Sequence, residues 1–469
     1  MRCFFAAIIL QISYLSAMGQ IETAVWHTSA TKAYSFIKTN NNKITNEQKL
    51  SPVFEHLFGL QNGEKGTVNI IHIGDSHIQA DMMTSVLRDG FQQRFGDAGR
   101  GILFPYQVAK SNGPADMTSS SNATWKANRL AHPEIDVQTG ISGFGMHSAQ
   151  TRASIHMQLR PTDSVQHSFN ELTFFLGAAP LCYSLTSPDM PPVSKYAPGG
   201  DTPLVFTTDV PLTQFDLSVC AEAKGDALFS MYGVSLRTKD AAGVIYHTIG
   251  VNGAQYEQYT NVALFWQQLR HLHGELYIVS MGTNEAQNKQ FSEDTFIAKC
   301  NAFLAQVRAI SPSATMLITS PAGSYFKGKA PNAVLEKVAH ALNRFCTEND
   351  LPYWDLYHIS GGKAGIPAWK KNKLFSHDLV HYIRDGYQLQ GHLLLNALAH
   401  SYNSYAAARP KVQKKKARPT SGKDKRTPVE PKIYRTTDMP KPPESNSSNT
   451  PDTPRKERQH IIKVKIEDR

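Results

Sequence analysis

Very little of this 469-residue chain is set aside for redox or metal chemistry. It has five cysteines, no CxxC pair and no His/Cys cluster of ligand spacing, which leaves no metal site to be read from it. Beyond the first 19 residues no stretch is long and apolar enough to cross a bilayer. Internal repeats are missing, which excludes solenoids and propellers. The body also lacks net charge. Arg409 to Arg469 holds 18 Lys+Arg against 8 Asp+Glu, which is the whole formal charge of +10. The preceding residues balance, so the body is not an obvious polyanion-binding module. What is present is 41% hydrophobic residues and 19% charged ones, a mixture that can bury a sizeable core. The length suggests two or three folded units.

The two ends differ from the body. Residues 1–19 read as a secretory signal: Arg2, then a mostly apolar Phe4–Leu15, then Ala17-Met18-Gly19 with small residues placed for a cut before Gln20. Cys3 lies too early to take a lipid anchor. Cleavage would leave Cys182, Cys220, Cys300 and Cys346, and an exported chain can oxidise them. A bond within each pair is open, with Cys300 and Cys346 read as buried thiols on helices. Residues 409–469, with nine prolines and Lys/Arg clusters, read as a disordered basic tail. It could touch an anionic envelope polymer. Export argues against nucleic acid as a partner, and the mature chain has no transmembrane segment.

Between the ends the hydrophobic period changes twice. Residues 20–65 form a lead-in with a helix over 47–60. Val68–Ile73 is a β-rich run ending in Gly74-Asp75-Ser76, and Met82, Val86, Leu87, Phe91 and Phe95 then recur at helical spacing. From 108 to 242 the chain is rich in Thr, Ser, Gly and Pro, with short alternating runs such as 171–176, 215–219 and 227–232. This reads as an all-β insertion, jelly-roll or sandwich-like, with Phe174, Phe175, Phe229 and Tyr232 in its core and Trp125 as a sugar-stacking candidate. From 243 to 408 strands and helices alternate again: strands at 244–251, 276–281, 315–319 and 353–356, helices at 255–272, 293–310, 331–349 (with Pro331 in its first turn) and 385–405. Alternation of this kind predicts a three-layer α/β/α fold, a parallel sheet covered on both faces, built from 66–107 and 243–408.

In such a sheet ligands bind at the carboxyl ends of the strands. Ser76 follows the first strand, Gly253 the second and Asn284 the third; Asp378 and His381 precede the last helix. A serine hydroxyl needs a base, His381 can take its proton, and Asp378 can orient the imidazole. The N–H groups of Ser76 and Gly253 and the amide of Asn284 could hold a tetrahedral oxyanion. His77 and Arg100 are further candidates for contacting substrate; the other readings are a packed side chain for His77 and a carboxylate partner for Arg100. Ser76 alone could equally be a helix cap; a distant Asp-x-x-His is what cap chemistry does not require.

These blocks (Gly74-Asp75-Ser76, Gly253, Asn284 and Asp378-x-x-His381, in that order) resemble those of the SGNH, or GDSL-like, hydrolases, over roughly 66–106 and 243–405. The resemblance implies Ser76 as nucleophile, His381 as base, Asp378 as its partner, Gly253 and Asn284 in the oxyanion hole, and neither metal nor organic cofactor. His77 replaces the Leu of the motif and Glu285 stands where Asp commonly follows the Asn. The long insertion after the first block, with His72–Gln79 and Phe95–Gly101, is similar to a branch of exported bacterial esterases that includes peptidoglycan O-acetylesterases. In that branch a carbohydrate-binding-module-like β domain interrupts the hydrolase. The substrate so implied is an O-acetylated glycan. The other readings are an esterase or acyltransferase for another acyl substrate such as a lipid, and a non-catalytic glycan binder.

Overall fold

The computed structural model describes residues 25–28, 34–132, 136–161, 168–179, 181–220 and 228–409. The leader over 1–19 and all of the basic tail beyond Arg409 lie outside these. The central sheet has seven strands, in the order Ile44–Thr45, Tyr353–Trp354, Thr315–Thr319, Leu276–Ser280, Thr67–Gly74, Gly243–Gly250 and Asp97–Gly99. Its strands are near-continuous apolar runs because both faces are covered. Val68 and Ile70 point into a core with the helices Ser51–Gln61, Thr84–Phe95 and Arg384–Ala407. Their neighbours Ile71 and Ile73 point the other way, towards helices that include Glu293–Ile310 and Val334–Glu348. The period-two alternation of one strand thus feeds two cores.

The chain leaves this sheet through Asp97–Gly99 and at once enters a second layer, where Gly101–Leu103 pairs with Val234–Leu236. Two antiparallel sheets follow. One runs Met190–Tyr196, Cys182–Ser187, Gln214–Val219, Ser154–Leu159, Met117–Ser121. The other runs Leu204–Leu212, Phe169–Leu176, Phe229–Arg237, Phe144–Ser148, Lys126–Arg129. Alternate residues such as Ile155, Met157 and Leu159 face inward, and Phe174, Phe175, Phe229 and Tyr232 are core, as their runs suggested. Trp125 is half-buried against Phe229 at 5.0 Å, its indole N–H donating to Ser121. The sandwich core is continuous with one face of the parallel sheet, since Phe144, Met146 and Phe175 share a cluster with Ile71, Ile249 and Val251.

Several local expectations are corrected. The sheet is not wholly parallel, because Ile44–Thr45 pairs antiparallel with Tyr353–Trp354. The helix expected over 255–272 is broken at Asn261-Val262 into Tyr256–Thr260 and Ala263–Leu269. Pro331 is not in a helix: it pairs with Tyr325 in a two-residue strand, and the helix starts at Val334. Asparagine and proline each impose local backbone geometry that an apolar period does not register.

Of the two readings of Arg100, substrate contact is corrected and the carboxylate partner holds: its side chain is 1% exposed. The guanidinium donates to Asp116 at 2.5 and 2.9 Å and to Asp81 at 2.7 Å. Arg88 forks onto the same Asp81 at 2.7 and 3.1 Å, and Thr84 and Thr248 add hydroxyl donors. Two cations and two carboxylates are sealed together. Burial alone would raise Asp81, but the two arginines hold it below the ordinary carboxylate range.

Cys182 and Cys220 form a disulfide across 38 residues, while Cys300 and Cys346 are free and buried. Replacing both Cys182 and Cys220 by alanine is expected to cost about 2–4 kcal/mol, read as a lower urea midpoint; an unchanged midpoint would count against the bond. Arg100→Met leaves two buried carboxylates on one arginine and is expected to cost about 3–5 kcal/mol. A raised KM with unchanged melting would instead return Arg100 to the substrate.

Candidate active site

Ser76 is the first residue of a one-turn helix, Ser76–Gln79, that begins as the strand Thr67–Gly74 ends. The turn is tight. A side chain on Gly74 would meet Ile78 and stand 2.7 Å from the Ser280 carbonyl. Asp75 caps the turn by accepting from the His77 N–H at 2.9 Å. As the first residue of the turn, Ser76 has an N–H with no intrahelical carbonyl to bond.

Asp378 and His381 are brought to it by a loop that closes on itself. Asp378 Oδ1 accepts from the Val380 and His381 N–H groups at 3.0 and 2.9 Å, and Leu379 sits at φ +58°. The Ser376 N–H bonds the His381 carbonyl at 2.8 Å, and the Tyr325 N–H bonds the Leu379 carbonyl at 2.9 Å. His381 is thereby aimed at both neighbours: its Nδ1 lies 2.6 Å from Asp378 Oδ2 and its Nε2 2.8 Å from Ser76 Oγ. A proton can therefore pass from the hydroxyl to an imidazole whose other nitrogen is held by a carboxylate. The two side chains are 38% and 37% exposed, so the relay opens to solvent.

The electrostatics follow the contacts. Burial works against a charged His381, but the bond and charge of Asp378, with Asp75 behind, outweigh it and raise its pKa. Burial also pushes Asp378 up, but the three hydrogen bonds it accepts hold it far below the ordinary range. Asp75, fully buried, is pushed up to about 6. His77 packs its ring 5.1 Å from that of His381 and shares a hydrogen bond with the Tyr387 hydroxyl at 3.1 Å. Enclosure and the neighbouring His381 push it down to about 3. It is a neutral neighbour of the relay.

Gly253 and Asn284 lie on the same rim. Gly253 has φ +86°, a conformation that favours glycine. Its N–H has no hydrogen-bond partner among the described residues. The Asn284 amide nitrogen donates to the Ala254 carbonyl at 2.9 Å and, at a longer 3.4 Å, to Asp75 Oδ2. Glu285 departs from the family's usual Asp and reaches back to the first turn of the helix Tyr256–Thr260. It accepts from the Tyr256 N–H at 3.1 Å, and burial raises it to about 7.

One group of residues was not anticipated. Gln79 donates to Ser111 Oγ and to both oxygens of Asn112 at 2.7–3.0 Å and accepts from the Asn252 N–H at 2.6 Å; Asn252 reaches back to Asn112 at 2.8 Å. This net clamps the loop entering the antiparallel layer to the residue before Gly253. Gln79 lay inside the family-like stretch, but nothing in the sequence links it to Asn112. Among the described residues no group of three or more His, Cys, Asp or Glu could hold a metal ion, and no helix is long and apolar enough to cross a membrane.

The GDSL-like Lipase/Acylhydrolase family model matches residues 219–389, a span that contains Gly253, Asn284, Asp378 and His381 and begins after Ser76. No curated protein matches the sequence. A solved structure of a peptidoglycan O-acetylesterase is similar with a TM-score of 0.65 at 22% identity, covering 77% of this chain and 99% of that one. A likeness at that identity is one of fold. A lipase/acylhydrolase from Enterococcus faecalis (TM-score 0.26, 15% identity, covering 34% and 77%) and a family two carbohydrate esterase from Cellvibrio japonicus (0.26, 10%, covering 61% and 99%) are more distant. Over residues 219–389 the chain thus carries a GDSL-like lipase/acylhydrolase domain, the domain of a carboxylic ester hydrolase, within a fold shared with that esterase structure.

Proposed function

We propose that the chain is an exported serine esterase that removes O-acetyl groups from a cell-wall or other complex glycan. The observation that carries the chemistry is the relay of Ser76, His381 and Asp378 at 2.8 and 2.6 Å. In this reading Ser76 Oγ attacks the ester carbonyl as His381 Nε2 takes its proton. The tetrahedral oxyanion is received by the N–H groups of Ser76 and Gly253 and by the Asn284 amide, whose longer bond to Asp75 is the one to be exchanged. Collapse expels the sugar hydroxyl, which takes the proton back from His381, and water then releases acetate by the same route. The glycan is supported by the fold shared with a peptidoglycan O-acetylesterase and by the antiparallel sandwich beside the rim. Export is supported by the Cys182–Cys220 disulfide and by the leader pattern in the sequence.

The mature protein should release acetate from O-acetylated peptidoglycan or another acetylated polysaccharide, and Ser76→Ala should not. No release from any acetylated polymer or short chromogenic ester by a folded wild type would sink this reading. A second expectation concerns pH. Only neutral His381 can accept the serine proton, and its pKa is raised. Activity is therefore lost as pH falls through a value above the ordinary imidazole figure of about 6.5. Asp378→Asn removes the main cause, so the acid limb of kcat/KM should move to lower pH while kcat drops by about four orders of magnitude. A limb that stays in place in the variant would show that another group sets it.

A further inference from the structure

The rim of the site continues into a cleft of about 220 Å³ at the edge of the antiparallel layer. It borders Gly253 closely, since a side chain there would come within 3.0 Å of His132 Nε2. Among the described residues its lining includes Lys110, Ser111, Asn128, Arg129 and His132 and no carboxylate. The cations are placed by the fold. Arg129 ends the strand Lys126–Arg129 and pairs with His132 across a tight turn. Lys110, at φ +56°, immediately precedes the Ser111-Asn112 loop that Gln79 and Asn252 clamp to the rim. Neither the Lys110 ammonium nor the Arg129 guanidinium has a hydrogen-bond or ion-pair partner among the described residues, although residues 1–408 are balanced in charge. The other half-buried arginine of this layer, Arg237, is paired with Glu171.

We propose that this cleft is a subsite for a carboxylate on the glycan, so that the enzyme selects acidic over neutral acetylated polymers. The proposal rests on the esterase reading and names the substrate class of that site. Arg129 has the planar fork that fits a carboxylate, Lys110 adds a mobile charge, and Ser111 and His132 supply polar atoms next to the oxyanion glycine. The carboxylate can come from a uronic acid or from a peptide substituent of peptidoglycan, and the substrates chosen below separate the two.

The test compares wild type with Arg129→Gln, Lys110→Gln and the double variant, each checked for folding by its thermal melt. The substrates are acetylated polygalacturonate, O-acetylated peptidoglycan, neutral acetylxylan and p-nitrophenyl acetate. The ratio of kcat/KM on acidic to neutral polymers should fall by about tenfold per charge removed, through KM, and the wild-type preference should fade with rising salt. The acidic polymer that shows the loss names the source of the carboxylate. Equal effects on acidic and neutral polymers, or none, would overturn the subsite. Binding of galacturonan oligomers to Ser76→Ala, with and without Arg129→Gln, reads the cleft without catalysis. A wild type inactive on every ester whose binding still depends on Arg129 would overturn the esterase and keep the subsite; activity without such dependence does the reverse.

Discussion

Asp81, Arg88, Arg100 and Asp116 meet where the parallel sheet hands the chain to the antiparallel layer, and each comes from a different segment. Asp81 ends the turn that presents Ser76, Arg88 lies on the following helix, Arg100 on the crossing, and Asp116 on the approach to the first strand of the sandwich. A buried ion pair is seldom worth more than a well-packed apolar substitute, but an unmatched member is costly. The consequence is geometric. The turn holding Ser76 and the loop holding Lys110 and Asn112 cannot shift against each other without opening a charge that has no water to receive it. Thr248, on the strand that leads to Gly253, bonds the same Asp81, which draws the second block of the site into the constraint.

On that frame, two imidazoles 5.1 Å apart are driven to opposite behaviour. His381 has a carboxylate on one nitrogen and a hydroxyl on the other; His77 has a phenol on one, and its Nε2 is buried with no partner among the described residues. Raising one pKa depresses the other, because a protonated His381 disfavours a second charge beside it. The arrangement leaves one titrating base, and the buried Asp75 behind it supports the charge that base acquires. Environments that push neighbouring groups apart in this way are how a site assigns its proton carriers.

The residues gathered at the rim were picked out by local signals together with the order of the family-like blocks. The apolar run Val68–Ile73 marks the strand whose end carries Ser76, and Asp378-x-x-His381 lies within one short segment where a turn can join the two side chains. The antiparallel layer was legible from the change of hydrophobic period; the disulfide was not, because four cysteines left its pairing open. What was not legible is either very short or very distant. Ile44–Thr45 and Asp97–Gly99 are two and three residues long, and their pairing is decided by partners far along the chain. Arg100 lies inside a family-like stretch and was open to two readings, a substrate contact or a carboxylate partner; burial, which a sequence does not show, decides for the second. The link from Gln79 to Asn112 crosses 33 residues and joins two polar side chains that resemble any other loop residues.

The position of the insertion has a structural consequence. It interrupts the connection between Thr67–Gly74 and Gly243–Gly250, which lie side by side in the sheet. Parallel neighbours need a long crossover, and here the crossover has grown into a whole layer. Its two ends are therefore fixed close to the strands that deliver Ser76 and Gly253. The shared core then does the rest: Ile249 and Val251 below the rim and Phe144 and Met146 in the sandwich belong to one packed cluster, and close-packed interiors transmit small displacements. The proposed carboxylate subsite thus rests on the same packed cluster as the rim, so changes at the exposed Lys110 and the half-buried Arg129 are expected to alter selectivity without disturbing the buried packing that aims His381 at Ser76.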